Sequence, residues 1–219
     1  MSKSLSLPKV NVIEKSHIIL AILGIMHIVG LIGLNSEFQE TFQLLTPGML
    51  LLSVTGMLLV QKDMDLWFWL DVILVMFIGF FAEWLGVNYQ IIFGNYYYGE
   101  TLGWKLDGVP LMIAVNWIMV VMASSAAANN IPLPWYMQAF LAAILMVVID
   151  FLIEPIASHF DFWHWKKDII PTQNFVGWFG VSLLMQLIYF YIDFDKQNKV
   201  AYGLYFILFG FFTLLNFTI

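Results

Sequence analysis

The residues that could do chemistry here are acids in places where acids are costly. Asp71, Glu83 and Asp150 lie within long apolar runs, and Glu154 lies at the end of one. A charged side chain at the centre of a bilayer costs about 2.5–3.5 kcal/mol on insertion scales, so such groups usually face a bundle interior and do work there. Asp150 and Glu154 are four residues apart and share one helix face, about 6 Å apart. Two carboxyl groups that close do not ionise together. One stays a proton donor beside one ionised base, the arrangement that general acid–base chemistry needs. Glu83, flanked by Phe80, Phe81, Trp84 and Leu85, is a third functional acid. Asp71 lies near a helix end, where it is expected to reach water and play a structural part. His27, alone in its apolar run, is expected to be a packed hydrogen-bonding group. His17 is expected at the interface. His159 and His164 match no zinc spacing such as H-E-x-x-H, so no metal site is expected.

Aromatic residues make up 17% of the chain. Stretches 94–108 and 155–174 are the richest in them, and both fall on the side of the membrane that holds Glu83, Asp150 and Glu154. An interfacial aromatic belt accounts for part of this enrichment. It does not account for the coincidence with the acids. Aromatic faces can hold a long polyene and stabilise a carbocation by cation–π attraction.

The elements that must position these groups follow from composition. Of 219 residues, 61% are hydrophobic and 11% charged, against roughly 25% charged in soluble domains. That excludes a water-soluble globular domain and a disordered chain. Seven apolar segments span about 18–34, 44–60, 66–93, 109–128, 133–153, 175–192 and 200–217. Turn or charge signals bound each one, Pro155 among them. Segment 44–60 is interrupted by Pro47, Gly48 and Gly56. Backbone groups in lipid must be satisfied internally, and the segments lack the alternation of barrel strands. The expected fold is therefore an all-α, polytopic transmembrane bundle of about seven spans, a single integral membrane domain over 1–219. No small-residue cleavage pattern follows Leu34, so the first run is a retained span.

All nine cations are Lys, and the net charge is −6. With seven spans, six Lys fall on the side of the N-terminus and three on the other. This favours a cytoplasmic N-terminal tail over 1–16. There is no Arg for bidentate phosphate recognition and no basic stripe for nucleic acid. No Cys is present for disulfides, iron–sulfur clusters or thiolate metal sites. No G-x-G-x-x-G or P-loop occurs. Residues 200–219 lack the embedded Lys that a retinal Schiff base requires.

Two blocks carry a resemblance. The first runs from Glu83-Trp84-Leu85-Gly86 through Phe93-Gly94-Asn95-Tyr96-Tyr97-Tyr98 to Leu102-Gly103, Gly108-Val109-Pro110 and Trp117. The second runs from Asp150-Phe151-Leu152-Ile153-Glu154-Pro155-Ile156-Ala157 through Phe162-Trp163-His164-Trp165 to Ile170-Pro171 and Asn174-Phe175-Val176-Gly177-Trp178. Over about residues 65–195 the chain resembles the bacterial and archaeal carotenoid biosynthesis membrane-protein family, which includes carotenoid 1,2-hydratases of the bisanhydrobacterioruberin hydratase type. Where that pattern often has Asp before the proline, Glu154 keeps the carboxylate and lengthens its reach.

The resemblance implies a long apolar carotenoid substrate with an acyclic ψ end group and a place in a bacterial cytoplasmic membrane, with association with other pathway enzymes. The expected reaction is hydration. An acid protonates C2 of the terminal alkene, and water adds to the tertiary cation at C1. No cofactor is required. Asp150, Glu154 and Glu83 are the expected catalytic acids. Tyr96, Tyr98, Trp117, Trp163, Trp165 and Trp178 are expected to contact substrate, and Asn174 to orient water. A lycopene-cyclase-like enzyme would share the protonation and close a ring instead. A non-catalytic carotenoid- or lipid-binding protein, or a small transporter, would keep the groove without needing a proton donor.

Overall fold

The computed structural model describes residues 12–219. The expected N-terminal tail, with Lys3 and Lys9, lies almost wholly outside them. The described residues form helices α1 (Val12–Leu34), α2 (Gln39–Gln43), α3 (Thr46–Leu58), α4 (Leu66–Tyr89), α5 (Met112–Asn129), α6 (Trp135–Ala157), α7 (Thr172–Tyr191) and α8 (Lys199–Thr218). Seven spans, with α2 and α3 together making the second, are long and apolar enough to cross a membrane. Ile18, Ile22, Ile25, Ile28 and Ile32 recur every three or four residues along α1, and all are exposed. In water such a stripe would be an aggregation site; in lipid it is an ordinary outer face. The protein is an integral membrane protein with an all-α architecture.

Helix α5 is the centre of the bundle, with every residue from 117 to 128 buried. Its second half is small (Ser124, Ser125, Ala126, Ala127, Ala128), so neighbouring backbones can approach closely. Gln186 on α7 fastens this centre. It accepts from the Ser125 hydroxyl at 2.6 Å and donates to the Val121 carbonyl at 3.2 Å and the Met146 sulfur at 3.1 Å. At the membrane edge, Asn198 caps α8 through the Ala201 N–H and donates to the Met57 carbonyl, tying α8 to α3.

Several boundaries differ from the sequence expectation, each for a local reason. Segment 66–93 stops being helical at Tyr89, because Gln90 and Ile92 adopt positive φ of 59° and 70°. Val109 and Pro110 belong to a short hairpin, strand β2 (Lys105–Leu106) against β3 (Val109–Pro110), not to α5. Pro155 does not end its helix; α6 continues to Ala157, which places Glu154 on regular helix. Pro47 sits in the first turn of α3, where a missing N–H costs nothing. Asp71 does not reach water. It is fully buried, both its carboxyl oxygens lack a hydrogen-bond partner among the described residues, and its electrostatic neighbours are Lys196 and Tyr189.

The two aromatic stretches expected as loops contain paired strands. β1 (Tyr96–Tyr98) runs antiparallel to β4 (Trp163–Trp165), with Tyr96 opposite Trp165, Tyr97 opposite His164 and Tyr98 opposite Trp163. Asp161 anchors one end of this ribbon. Its carboxylate accepts from the Glu100 N–H at 2.7 Å and pairs with His164 Nε2 at 2.7 Å.

Candidate functional site

Antiparallel pairing sets the geometry of the site. Side chains alternate along a strand, and directly opposed residues share a face. Tyr96, Tyr98, Trp163 and Trp165 therefore all point to the same side of the ribbon, into the helix bundle, while Tyr97 and His164 stack on each other outside, with ring centroids 5.1 Å apart. The inward four carry four polar hydrogens, and all four reach carboxylates.

The two tyrosines serve Glu83. The hydroxyls of Tyr96 and Tyr98 both donate to Glu83 Oε2, the latter at 2.7 Å, and Trp117 Nε1 donates to Oε1 at 3.1 Å. Glycines on α4 make room for this. Gly79 and Gly86 lie four residues before and three after Glu83, on the same helix face. A Cβ at Gly79 would collide with the Trp117 ring, and one at Gly86 with the Tyr96 hydroxyl. Burial, then the charge of Glu83, holds both phenols well above the ordinary tyrosine range, so they remain hydrogen donors.

The two tryptophans serve Glu154. Trp165 Nε1 and Trp163 Nε1 donate to its Oε2 at 2.7 and 3.3 Å. Asn174, in the first turn of α7, gives its two amide hydrogens to different acids, Glu154 Oε1 at 2.8 Å and Asp150 Oδ2 at 3.0 Å. Asp150 Oδ1 is left without a partner among the described residues. Among the described residues every donor to the three acids is neutral. Without a cation among their hydrogen-bond partners, three acids in so apolar a place cannot all carry charge.

Glu83 and Glu154 stand on the wall of one cavity, with Tyr96, Tyr98, Trp163, Trp165, Asn174 and Trp178. The cavity volume open to a water-sized molecule is about 130 Å³, room for several waters at about 10–15 Å³ each by the same measure. Most of its remaining surface is apolar. Two expected residues stand behind the wall. Asp150 is fully buried and touches the site through Asn174. Trp117 is fully buried and backs Trp178, with stacked rings 4.1 Å apart. Asp71 is not part of the wall.

Sequence reasoning missed four polar residues of this wall, Asn116 on α5, Thr46 and Ser53 on α3 and His27 on α1. It also missed the ribbon. The aromatic–polar–aromatic alternation of Trp163-His164-Trp165 was the available signal, but three residues are too few to separate a strand from an irregular loop.

No curated protein and no solved structure matches the chain. The model of one family, described as carotenoid biosynthesis protein, matches residues 43–219. That match takes in α3 to α8, every acid of the site and the whole ribbon, and leaves only α1 and α2 largely outside. It is also wider than the resemblance over about 65–195. The chain belongs to the carotenoid biosynthesis protein family, and its role lies in carotenoid biosynthesis at the membrane.

Proposed function

We propose that this protein is a cofactor-independent carotenoid hydratase that adds water across the terminal C1,C2 double bond of an acyclic end group. The observation that carries the reading is the pair of carboxyl groups, Glu83 and Glu154, held by neutral donors on the wall of one apolar, aromatic-lined cavity. A non-catalytic carotenoid carrier has no need of buried acids, whose placement in lipid is costly. Protonation of an alkene does need a carboxylic acid kept neutral by a water-poor setting.

In this reading one proton is shared among Glu83, Asp150 and Glu154. It passes from a cavity-facing carboxyl to C2, and the tertiary cation at C1 is stabilised by the rings of Trp163, Trp165, Trp178 and Tyr98. Asn174 holds the Asp150–Glu154 pair in register, and water adds to C1. The substrate reaches the site from the lipid phase as a long apolar chain. The lysine distribution supports a cytoplasmic N-terminus, with the ribbon and cavity on the far side of a bacterial cytoplasmic membrane.

Expression in a lycopene-producing host tests the reading. A pigment heavier by one water is expected from the wild type, and none from Glu154→Gln or Asp150→Asn while pigment still co-purifies with the protein. An isomer of unchanged mass would replace hydration by cyclisation. Unchanged product from both variants would overturn the acid–base assignment.

A further inference from the structure

His27 does what its isolation predicts, and something more. Its Nδ1 lies 2.8 Å from the Leu23 carbonyl one turn back on α1. A carbonyl only accepts, so the hydrogen is on Nδ1, and in the neutral ring the lone pair is on Nε2. The ring is held edge-on against Phe211, centroids 5.2 Å apart, and it lines the cavity. Nε2 has no hydrogen-bond partner among the described residues. Ser53, on α3, faces the same cavity, is buried, and its hydroxyl is likewise without a partner among the described residues.

Depth matches as well. His27 lies seven residues from the Leu34 end of α1, and Ser53 seven from the Thr46 end of α3, about 10 Å along each helix. Glu83 lies six residues from the Tyr89 end of α4, about 9 Å. With the spans alternating in direction, these three ends are on one side of the membrane. The cavity wall thus carries hydrogen donors and acids from the ribbon, α4, α6 and α7, and an imidazole and a hydroxyl from α1 and α3 at similar depth.

We propose that His27 and Ser53 form the water-binding station of the cavity, with His27 Nε2 as the base that takes the proton of the attacking water. This rests on the hydration reading. A hydroxyl and an imidazole lone pair are complementary to one water, since Ser53 donates to its oxygen and Nε2 accepts one of its hydrogens. The steps balance. The alkene π pair takes a carboxyl proton at C2, leaving a carboxylate and a cation at C1. A water lone pair forms the C1–O bond while a water proton passes to Nε2, giving a tertiary alcohol and an imidazolium. Transfer of that proton across the cavity to the carboxylate restores both groups, and nothing is oxidised or reduced. His27 sits on α1, which the family match does not cover, and Ser53 on α3, which it does.

The test uses the purified full chain in detergent with lycopene in D2O, and reads two products separately: hydrated pigment, and deuterium in unhydrated pigment. The wild type is expected to hydrate. His27→Phe keeps a ring against Phe211 and removes both nitrogens. It should lose hydrated product by about 10²-fold or more while deuterium still enters the unhydrated pigment, because protonation survives and capture by water does not. Added imidazole should restore hydration to His27→Ala, which a purely structural role would not permit. Ser53→Ala should reduce hydration with the same retained exchange. Hydration by His27→Phe at the wild-type rate overturns the proposal, and so does joint loss of hydration and deuterium exchange in protein that remains monodisperse. A wild type that exchanges deuterium but never hydrates overturns the hydration reading itself, and is recognised without any variant.

Discussion

Asn174→Leu probes the centre of the site with little change in volume. The side chain is buried, and its single amide nitrogen bridges Asp150 and Glu154 at 3.0 and 2.8 Å. Leucine removes both bonds and leaves two carboxyl oxygens facing apolar surface. At about 1–1.5 kcal/mol net for each bond, the loss is about 2–3 kcal/mol. For a chain of this size 1 kcal/mol moves Tm by about 2–4 °C, so thermal unfolding of the detergent-purified protein should fall by about 4–12 °C. Activity should fall further than stability. Glu154 keeps two indole donors on its other oxygen but loses its register with Asp150, and a misplacement of about 1 Å at a reacting group costs about 10²-fold in rate. Tm and product yield in the lycopene host are read on the same preparation. A Tm within 2 °C of wild type together with unchanged product would refute the bridging role of the amide. A lowered Tm with unchanged product would confine Asn174 to structure and remove the Asp150–Glu154 register from the mechanism.

Other expectations follow from the same geometry. Gly86→Ala sets a methyl against the Tyr96 hydroxyl, and Gly79→Ala sets one against Trp117; each should cost about 1–3 kcal/mol by overpacking, and a Tm equal to wild type would show that the approach is not tight. Tyr96→Phe and Tyr98→Phe each remove one donor from the same Glu83 oxygen. Their stability effects should be non-additive by about 0.5 kcal/mol or more in a double-mutant cycle, and strict additivity would mean that the two phenols act independently. The chain has no Cys, so single introduced thiols report topology cleanly. An impermeant maleimide should label Ser158→Cys in intact cells and Met64→Cys only after lysis, and the reverse pattern would invert the orientation.

Much of the protein was legible in its residues. An excess of apolar residues over charge leaves lipid as the only compatible solvent, and backbone satisfaction in lipid then requires helices, so seven segments became seven spans. The acids were conspicuous because each is costly where it stands. Asp150 and Glu154 could be placed on one face by their spacing alone. Glu83 could not be connected to them, since it lies on another helix 67 residues before Asp150 in the chain.

Three things were decided only by the fold. The pairing of β1 with β4 brings together triplets far apart in sequence and sorts their donors, phenols to Glu83 and indoles to Glu154. No local pattern specifies which strand meets which. Burial of Asp71 depends on α7 and the segment after it packing over α4, so its place near a helix end was a poor guide to water. His27 looks from its neighbours like an ordinary packed histidine, and its hydrogen bond to Leu23 agrees. The residue lines a cavity because α3, α5 and α8 pack around the space beside it. Helical periodicity says which face a side chain occupies. What that face meets is set by long-range packing, and on that meeting the chemistry of this site depends.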